Sequence, residues 1–517
     1  MTTFDYLVVG GGTAGCIVAA RLAENPAVSV GLIEWGPSDE HEPRARSIRR
    51  WAEMLEGEYD LDYRSVPQER GNSRIRQARL RILGGCSTAN TMISWRPRAA
   101  DLQEWVDLGA RGWDAATVHP YYERLQAPIT PVPPQDQTPF VADVISAASA
   151  ALGLPVRSTW NDGDVIEGTG FFEIGYRPDT NTRSSASICY LHPARRSRAN
   201  LTVLLQTRAL RLMLDGGNRV TGVVARAGDG AVSELSARRE VVVCAGAIDS
   251  PRLLQLSGIG PADILRAAGV DVRVHLPGVG ENLMDHAEGI VVWEIAEPPS
   301  RVCATGWDAG ALIRLTPEAA RPDITMHFPV EAWVDHVVAH GVEMPPYYMA
   351  IAPNVSKPRS RGRVWITGAD PDDPPAIDYR YFTDPAGADE AVLIAAVRAA
   401  RRIGESEPMA SHLCREVFPG PQAVTDADVS ALARATHQTV YHVSGTCRMG
   451  AAGDGMAVLD EELRVRGVPG LRVADASVFP TIPSVNPVVT VMIAAERAAT
   501  LIRQDAAGAA LAGHRLA

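Results

Sequence analysis

The chain has 517 residues, 46% of them hydrophobic and 21% charged, with a formal net charge of −11. That length and balance describe a globular protein with room for more than one core, and they exclude disordered, collagen-like and coiled-coil chains. The negative charge also leaves out the basic footprint of a nucleic-acid binder.

The first element expected is a buried strand over residues 4–9, FDYLVV, short, β-branched and aromatic. A glycine-rich turn follows at residues 10–15, then a helical pattern over 16–22 and a second strand over 28–34. This is a β-α-β unit. Residues 37–50 read as polar loop. Strand signals return over 201–246 and helical spacing over 251–268; alternation over 290–330 and 343–366 suggests an antiparallel sheet apart from the opening unit. Helices are expected over 387–405, 425–436 and about 488–504, with an Ala/Gly-rich frayed tail beyond Gln504.

The start, MTTFDYLVVG, lacks the basic region and cleavage site of a signal peptide. No uncharged apolar run reaches the ~20 residues that span a bilayer; the nearest, from Val485, is broken by Glu496 and Arg497. Seven widely spaced cysteines without a CxxC pair argue against a disulfide framework or a metal site and for a reducing cytoplasm. The basic residues are one lysine, Lys357, and 49 arginines, a bias expected of a GC-rich genome.

Gly10, Gly12 and Gly15 form G-x-G-x-x-G between the first strand and helix. The first glycine permits the turn, the second admits a pyrophosphate to the backbone, and the third lets helix and strand pack closely. The helix start, with Thr13 and Ala14, then faces an anion. Glu34 closes the next strand, where an acid accepts hydrogen bonds from a ribose hydroxyl and repels a 2′-phosphate. The motif points to a dinucleotide and leaves NAD and FAD as alternatives.

Three further segments resemble one family. Residues 246–260, GAIDSPRLLQLSGIG, residues 79–96, RLRILGGCSTANTMISWR, and residues 470–487, GLRVADASVFPTIPSVNP, are similar to signature segments of the glucose–methanol–choline (GMC) oxidoreductases. Within it the likeness is to choline oxidases, through YDLDYRSVPQERGNS, RSSASICYLHP, MDHAEGIVV and TVYHVSGTCRMG. The resemblance implies an α/β fold: a Rossmann-like FAD-binding domain and a second domain of mainly antiparallel sheet plus helices. It implies an interleaved chain, with FAD-binding parts over 1–155, 201–285 and 426–517 and substrate-domain parts over 156–200 and 286–425. The implied reaction is oxidation of a primary alcohol to an aldehyde by hydride transfer to flavin N5, with O2 or an electron carrier as final acceptor. No nucleic-acid or membrane partner is expected, and a homodimer is the assumed assembly.

The same resemblance assigns residues. His442 matches the histidine beside the flavin, as general base, and its alternative is a histidine packed in a turn. Asn486 matches its paired asparagine. His327 matches a second active-site histidine, or is a satisfied sheet residue. Glu288 matches the carboxylate that faces the choline cation, unless an arginine pairs with it. Trp307 and Tyr441 would offer cation–π contacts or pack as core. Gly84, Gly85 and Asn90 would hold the flavin, Gly246 would lie near the adenine, and Asp475 would sit near the ribityl chain and pyrophosphate or cap a helix.

Two positions depart from the choline oxidase pattern. Ala89 stands where those enzymes carry the flavin-linking histidine, which implies non-covalent FAD. Leu61 stands where an aromatic wall of the cation cage is expected. A retained Glu288 with a lost wall favours a larger amine-bearing alcohol, such as an aminoglycoside hydroxymethyl group in antibiotic biosynthesis; choline and a neutral aryl alcohol are the alternatives. Asp308, Glu331, Asp335 and Glu343 would add negative charge at the entrance or form a solvated face.

Overall fold

The computed structural model describes residues 2–298, 303–330 and 332–514. The opening unit is the strand Thr2–Val9, the helix Thr13–Leu22 and the strand Val30–Ile33. They join a sheet in the order Leu201–Leu204, Val30–Ile33, Thr2–Val9, Val232–Val243, Val220–Ala227 and Thr207–Leu214, with Leu471–Val473 also paired to Val232–Val243. The first four strands and Leu471–Val473 pair in parallel; the last two join antiparallel. Leu7, Val8, Val30, Leu32 and Val241 to Val243 are all inaccessible to solvent, because a parallel sheet is covered on both faces. Register aligns Val9 with Ile33 and Val243, and Val243 with Val473. Four strand ends therefore open at one level, where ligands bind to such sheets.

The helix Val488–His514 packs against Thr13–Leu22. It continues past Gln504, where a frayed tail was expected, to His514. Glu496, which interrupts the apolar run, is buried beneath Arg21, whose Nε and Nη2 donate to its two oxygens at 2.9 and 2.8 Å. A bidentate pair of this kind is what allows a carboxylate into a helix–helix seam.

The second sheet is antiparallel, in the order Leu413–Phe418, Val291–Ile295, Tyr348–Val355, Ile324–His327, Ala309–Ile313 and Gly168–Phe171. The two-residue strand Ala287–Glu288 pairs with Tyr348–Val355 and with Gln438–Thr439. Helices Pro139–Leu152 and Ala388–Gly404 close one apolar core with this sheet. A cluster containing Trp51, Trp95, Trp160 and Trp307 joins Ala352 of the sheet to Val485 near the chain's end.

Two local expectations are corrected. Residues 37–50 are not all loop: Pro43–Arg46 is one helical turn, started by Pro43 and capped by the Glu42 carboxylate. The alternating run 343–366 serves two sheets, since Gly362–Trp365 pairs with Glu281–Leu283 and Ala376–Asp378 instead. Among the described residues no helix is long and apolar enough to cross a membrane.

Candidate active site

A single cavity of about 370 Å³ runs from the glycine turn to the second sheet, lined by residues from Val9 to Val491. At its first end the helix Thr13–Leu22 begins at Gly12 with no side-chain cap. Its first amides have no partner within the helix, and Thr13 and Ala14 line the cavity. Gly12 also lines it, and a Cβ there would meet only Gly85 Cα at 4.0 Å. Gly15 is different. A Cβ there would stand 1.8 Å from the Gly10 carbonyl oxygen, so Gly15 shapes the loop without lining the cavity. Gly84 likewise serves the loop, donating its N–H to the Gly11 carbonyl at 2.7 Å. Gly85 and Asn90 reach the cavity wall.

Glu34 is buried in the wall. Its two oxygens accept from the Gly11 and Gly36 amides at 2.7 and 2.6 Å. Burial still pushes its carboxyl up to about 7. Each oxygen keeps a lone pair for a further donor.

Asp475 does cap a helical turn, Ala476–Val478. Its oxygens accept from Gly246 N–H and Ser250 Oγ at 2.8 and 2.5 Å and from Ser477 N–H and Oγ at 2.8 and 2.6 Å. It thereby ties the end of the chain to Gly246, where an added Cβ would meet nothing within 4 Å. Asp475 and Gly246 both line the cavity.

The uncapped helix start, the open space at Gly12 and Gly246 and the acceptor at Glu34 fit a dinucleotide cofactor. Arg183, which sequence reading passed over, is wholly buried beside the 84–90 loop. It donates to Thr88 O at 2.6 Å and Asn90 Oδ1 at 2.7 Å. Burial lowers its pKa to about 9.

At the other end stands a pair of histidines. Nδ1 of His286 lies 2.9 Å from Nδ1 of His442. The other His286 nitrogen, Nε2, lies 3.1 Å from the Pro483 carbonyl. A carbonyl only accepts, so His286 carries its proton on Nε2 and accepts through Nδ1. His442 must then donate from Nδ1, which leaves its Nε2 unprotonated. Burial pushes His286 down to about 3. Burial, with His286 beside it, holds His442 well below the usual histidine range. His442 and Asn486 both line the cavity.

The backbone around His442 is held as firmly. Asp285 Oδ1 accepts the His442 N–H at 2.8 Å, and the Thr439 hydroxyl accepts the Tyr441 N–H at 2.7 Å. Tyr441 sits at φ +64°, a conformation costly for a residue with a side chain and kept only where neighbours impose it. His286 adjoins Glu288 in MDHAEG and was not singled out by sequence; only its pairing with His442 reveals it.

Glu288 is 2% exposed. Its partners are His327 Nδ1 at 3.3 Å and Gln438 Nε2 at 3.2 Å, so no arginine among the described residues pairs with it. Burial raises its pKa. His327 is equally buried, and its Nε2 has no partner. Glu288, His327, Trp307 and Tyr441 all line the cavity.

Around them runs a continuous aromatic wall. Trp307 lies 5.6 Å from the His327 ring, and Trp333 lies 6.4 Å from Trp307, 6.2 Å from Tyr441 and 5.4 Å from Trp51. Leu61 lines the cavity too, and it packs with Tyr63 and Tyr379, apart from the cluster that holds Trp51 and Trp333. Of the acids expected at the entrance, Asp308 is buried and binds Ala304 and Thr305 of its own loop. Asp335 and Glu343 are exposed and away from the cavity lining, and Glu331 lies outside the described residues.

Residues 4–288 match the N-terminal GMC oxidoreductase family model and residues 358–495 the C-terminal one. The chain belongs to the GMC oxidoreductase family. Choline oxidase of Arthrobacter globiformis is 45% identical to this GMC chain, over 98% of it and 95% of the relative. Human mitochondrial choline dehydrogenase is 33% identical over 97% and 90%. Among solved structures, pyridoxine 4-oxidase from Mesorbium loti superposes with a TM-score of 0.88 at 31% identity, over 97% of this chain and 98% of that one. This GMC chain is thus an FAD-dependent alcohol oxidoreductase.

Proposed function

We propose that the protein oxidises a primary alcohol bearing a compact ammonium group, of which choline is the simplest, to the aldehyde. One observation carries this reading: the buried Glu288 carboxylate has two long hydrogen bonds, at 3.2 and 3.3 Å, inside an aromatic wall. The buried Asp475 shows what a self-sufficient carboxylate looks like here, with four bonds of 2.5–2.8 Å. A buried carboxylate so poorly paired is costly until a cation joins it, and Trp307, Trp333, Trp51 and Tyr441 present faces that attract one.

When bound, FAD supplies the acceptor for the hydride that leaves the carbinol carbon. Thr13 and Ala14 amides would hold its pyrophosphate and Glu34 a ribose hydroxyl. Glu288 and the aromatic wall hold the ammonium end of the substrate. His442 takes the hydroxyl proton on Nε2, the nitrogen left free by its bond to His286. His327 Nε2 and Asn486 would hold the substrate oxygen. Removal of the proton from oxygen balances departure of the hydride from carbon, so the aldehyde keeps the single positive charge of its ammonium group. O2 or an electron carrier closes the cycle.

The aminoglycoside reading is withdrawn. It rested on the retained Glu288 together with the leucine at position 61, and neither distinguishes an aminoglycoside from a smaller ammonium alcohol. The relatives named above likewise do not point to an aminoglycoside. The test is anaerobic mixing of the purified protein with choline, benzyl alcohol or paromamine. Choline is expected to bleach the flavin absorbance fastest. Bleaching by benzyl alcohol alone would leave the FAD chemistry and remove the cation; bleaching by paromamine alone would restore the larger amine.

The flavin is held without a covalent bond. Ala89 is buried in the cavity wall, and a methyl group has no atom with which to form one. Acid precipitation is expected to leave all the yellow colour in the supernatant; colour on the washed pellet contradicts it.

A further inference from the structure

The chain's one lysine is half-buried, with its ammonium among four oxygens. The Lys357 ammonium lies 3.1 Å from Asp101 Oδ1, 2.8 Å from Glu104 Oε2, 2.9 Å from Thr481 Oγ1 and 2.6 Å from the Ile482 carbonyl. Asp101 is wholly buried. Its other oxygen accepts from the Ser484 amide at 2.7 Å and the Ser484 hydroxyl at 2.6 Å.

Residues 481–484 are buried and belong to no helix or strand. A buried segment of this kind needs a partner for each backbone group, and side chains provide them one at a time. Trp105 Nε1 donates to Thr481 O at 2.8 Å, and the Ile482 amide donates to Met284 Sδ at 3.3 Å. Lys357 takes the Ile482 carbonyl, His286 the Pro483 carbonyl, and Asp101 the Ser484 amide. Lys357 and Asp101 therefore grip the chain immediately before and after Pro483. The Pro483 carbonyl lies 3.1 Å from His286 Nε2 and accepts its proton.

We propose that Lys357 and Asp101 are positioning residues for the proton acceptor: by fixing the Pro483 carbonyl they fix the tautomer of His286, and through it the free Nε2 of His442. This rests on the role given to His442 above. Neither residue lines the cavity, so neither touches substrate. Loosened, Pro483 would let His286 move its proton to Nδ1; His442 would then accept there and carry its own proton on Nε2, with no lone pair for the alcohol.

The choice of lysine has a geometric reason in a chain that otherwise uses arginine. The acceptors lie on two sides, Asp101 and Glu104 on the helix Ala99–Asp107 and Thr481 and Ile482 on the loop. An ammonium directs three protons in a cone, whereas a guanidinium presents its donors in one plane.

The experiment uses FAD-loaded Lys357→Arg, Lys357→Met and Ser484→Ala with choline under anaerobic conditions. Flavin content, melting temperature, the limiting rate of flavin reduction and its pH profile are recorded. The charged and titratable groups facing the histidine pair are Lys357, Asp101, His327 and Arg79, with Asp285 on the His442 amide. Both Lys357 variants are expected to keep their flavin and to reduce it at least tenfold more slowly, with half-saturating choline changed less than threefold. Lys357→Arg keeps the charge, so its acid limb stays in place. Lys357→Met removes a cation that opposes protonation of His286, so its acid limb moves to higher pH.

Parent rates with unmoved acid limbs in both variants overturn the proposal. If the Lys357 variants lose flavin or fail to fold, Ser484→Ala decides, since it removes only one of the two bonds from Ser484 to Asp101: several-fold slower reduction supports the proposal and the parent rate overturns it. His442→Ala run in parallel separates the two readings. If it too reduces flavin at the parent rate, the base assignment fails; if it alone is slow, the clamp fails.

Discussion

His442→Ala is expected to retain FAD and to reduce it about a thousandfold more slowly with choline at pH 7, in line with the loss of a positioned general base. The measurement is the limiting rate of flavin bleaching after anaerobic mixing. The expectation follows from a proton count along three acceptors and donors. The Pro483 carbonyl takes the proton of His286, His286 takes the Nδ1 proton of His442, and the remaining nitrogen of His442 is the site's free base. Burial and the neighbouring His286 depress the pKa of His442. The neutral, competent form therefore dominates at pH 7 and is lost only as pH falls below the ordinary histidine range. Alanine removes the acceptor without adding charge or bulk. A variant that bleaches at the parent rate would assign the proton to some other group.

Glu288→Gln is expected to weaken choline by about 2–3 kcal/mol, the usual cost of truncating one partner of a buried charge pair, or roughly 30- to 150-fold in KM. Benzyl alcohol should change less than twofold. The substitution keeps shape and loses charge, so it separates attraction for a cation from simple packing. It also has a pH signature. Burial raises the Glu288 pKa, so a cationic substrate gains affinity as pH climbs through that raised value and loses it below. A neutral substrate has no such limb, and glutamine should abolish it for choline as well. Equal losses for both alcohols would make Glu288 a structural acid.

The opening β-α-β unit was legible because its information is local. Gly10, Gly12 and Gly15 sit within six residues of one another, and their burial and spacing follow from the turn itself. The antiparallel second sheet was legible as alternation, but the pairing of Ala287–Glu288 with both Tyr348–Val355 and Gln438–Thr439 was not. Nothing in a two-residue strand announces its partners. The cage was legible only in part, for a related reason. Leu61 was judged against one expected position, while the aromatic surface is assembled from Trp51, Trp307, Trp333 and Tyr441, whose order in the chain carries no sign that they meet. His286 was hidden by its neighbour: in MDHAEG the acid drew attention, and the histidine acquires a role only when His442 arrives from 156 residues away. Lys357 was read as a trace of genome composition, and its surroundings make it a packed, four-contact residue.

The cavity draws its walls from segments far apart in the chain, from Val9 to Trp35 and from Asp475 to Val491, and the Arg21–Glu496 pair locks the two together. During synthesis the ribosome releases the glycine turn early and the segment that closes over it nearly last. A nascent chain thus carries half a cofactor site for most of its translation. Flavin capture waits on residues 475–491, and a product terminated before them is expected to stay colourless.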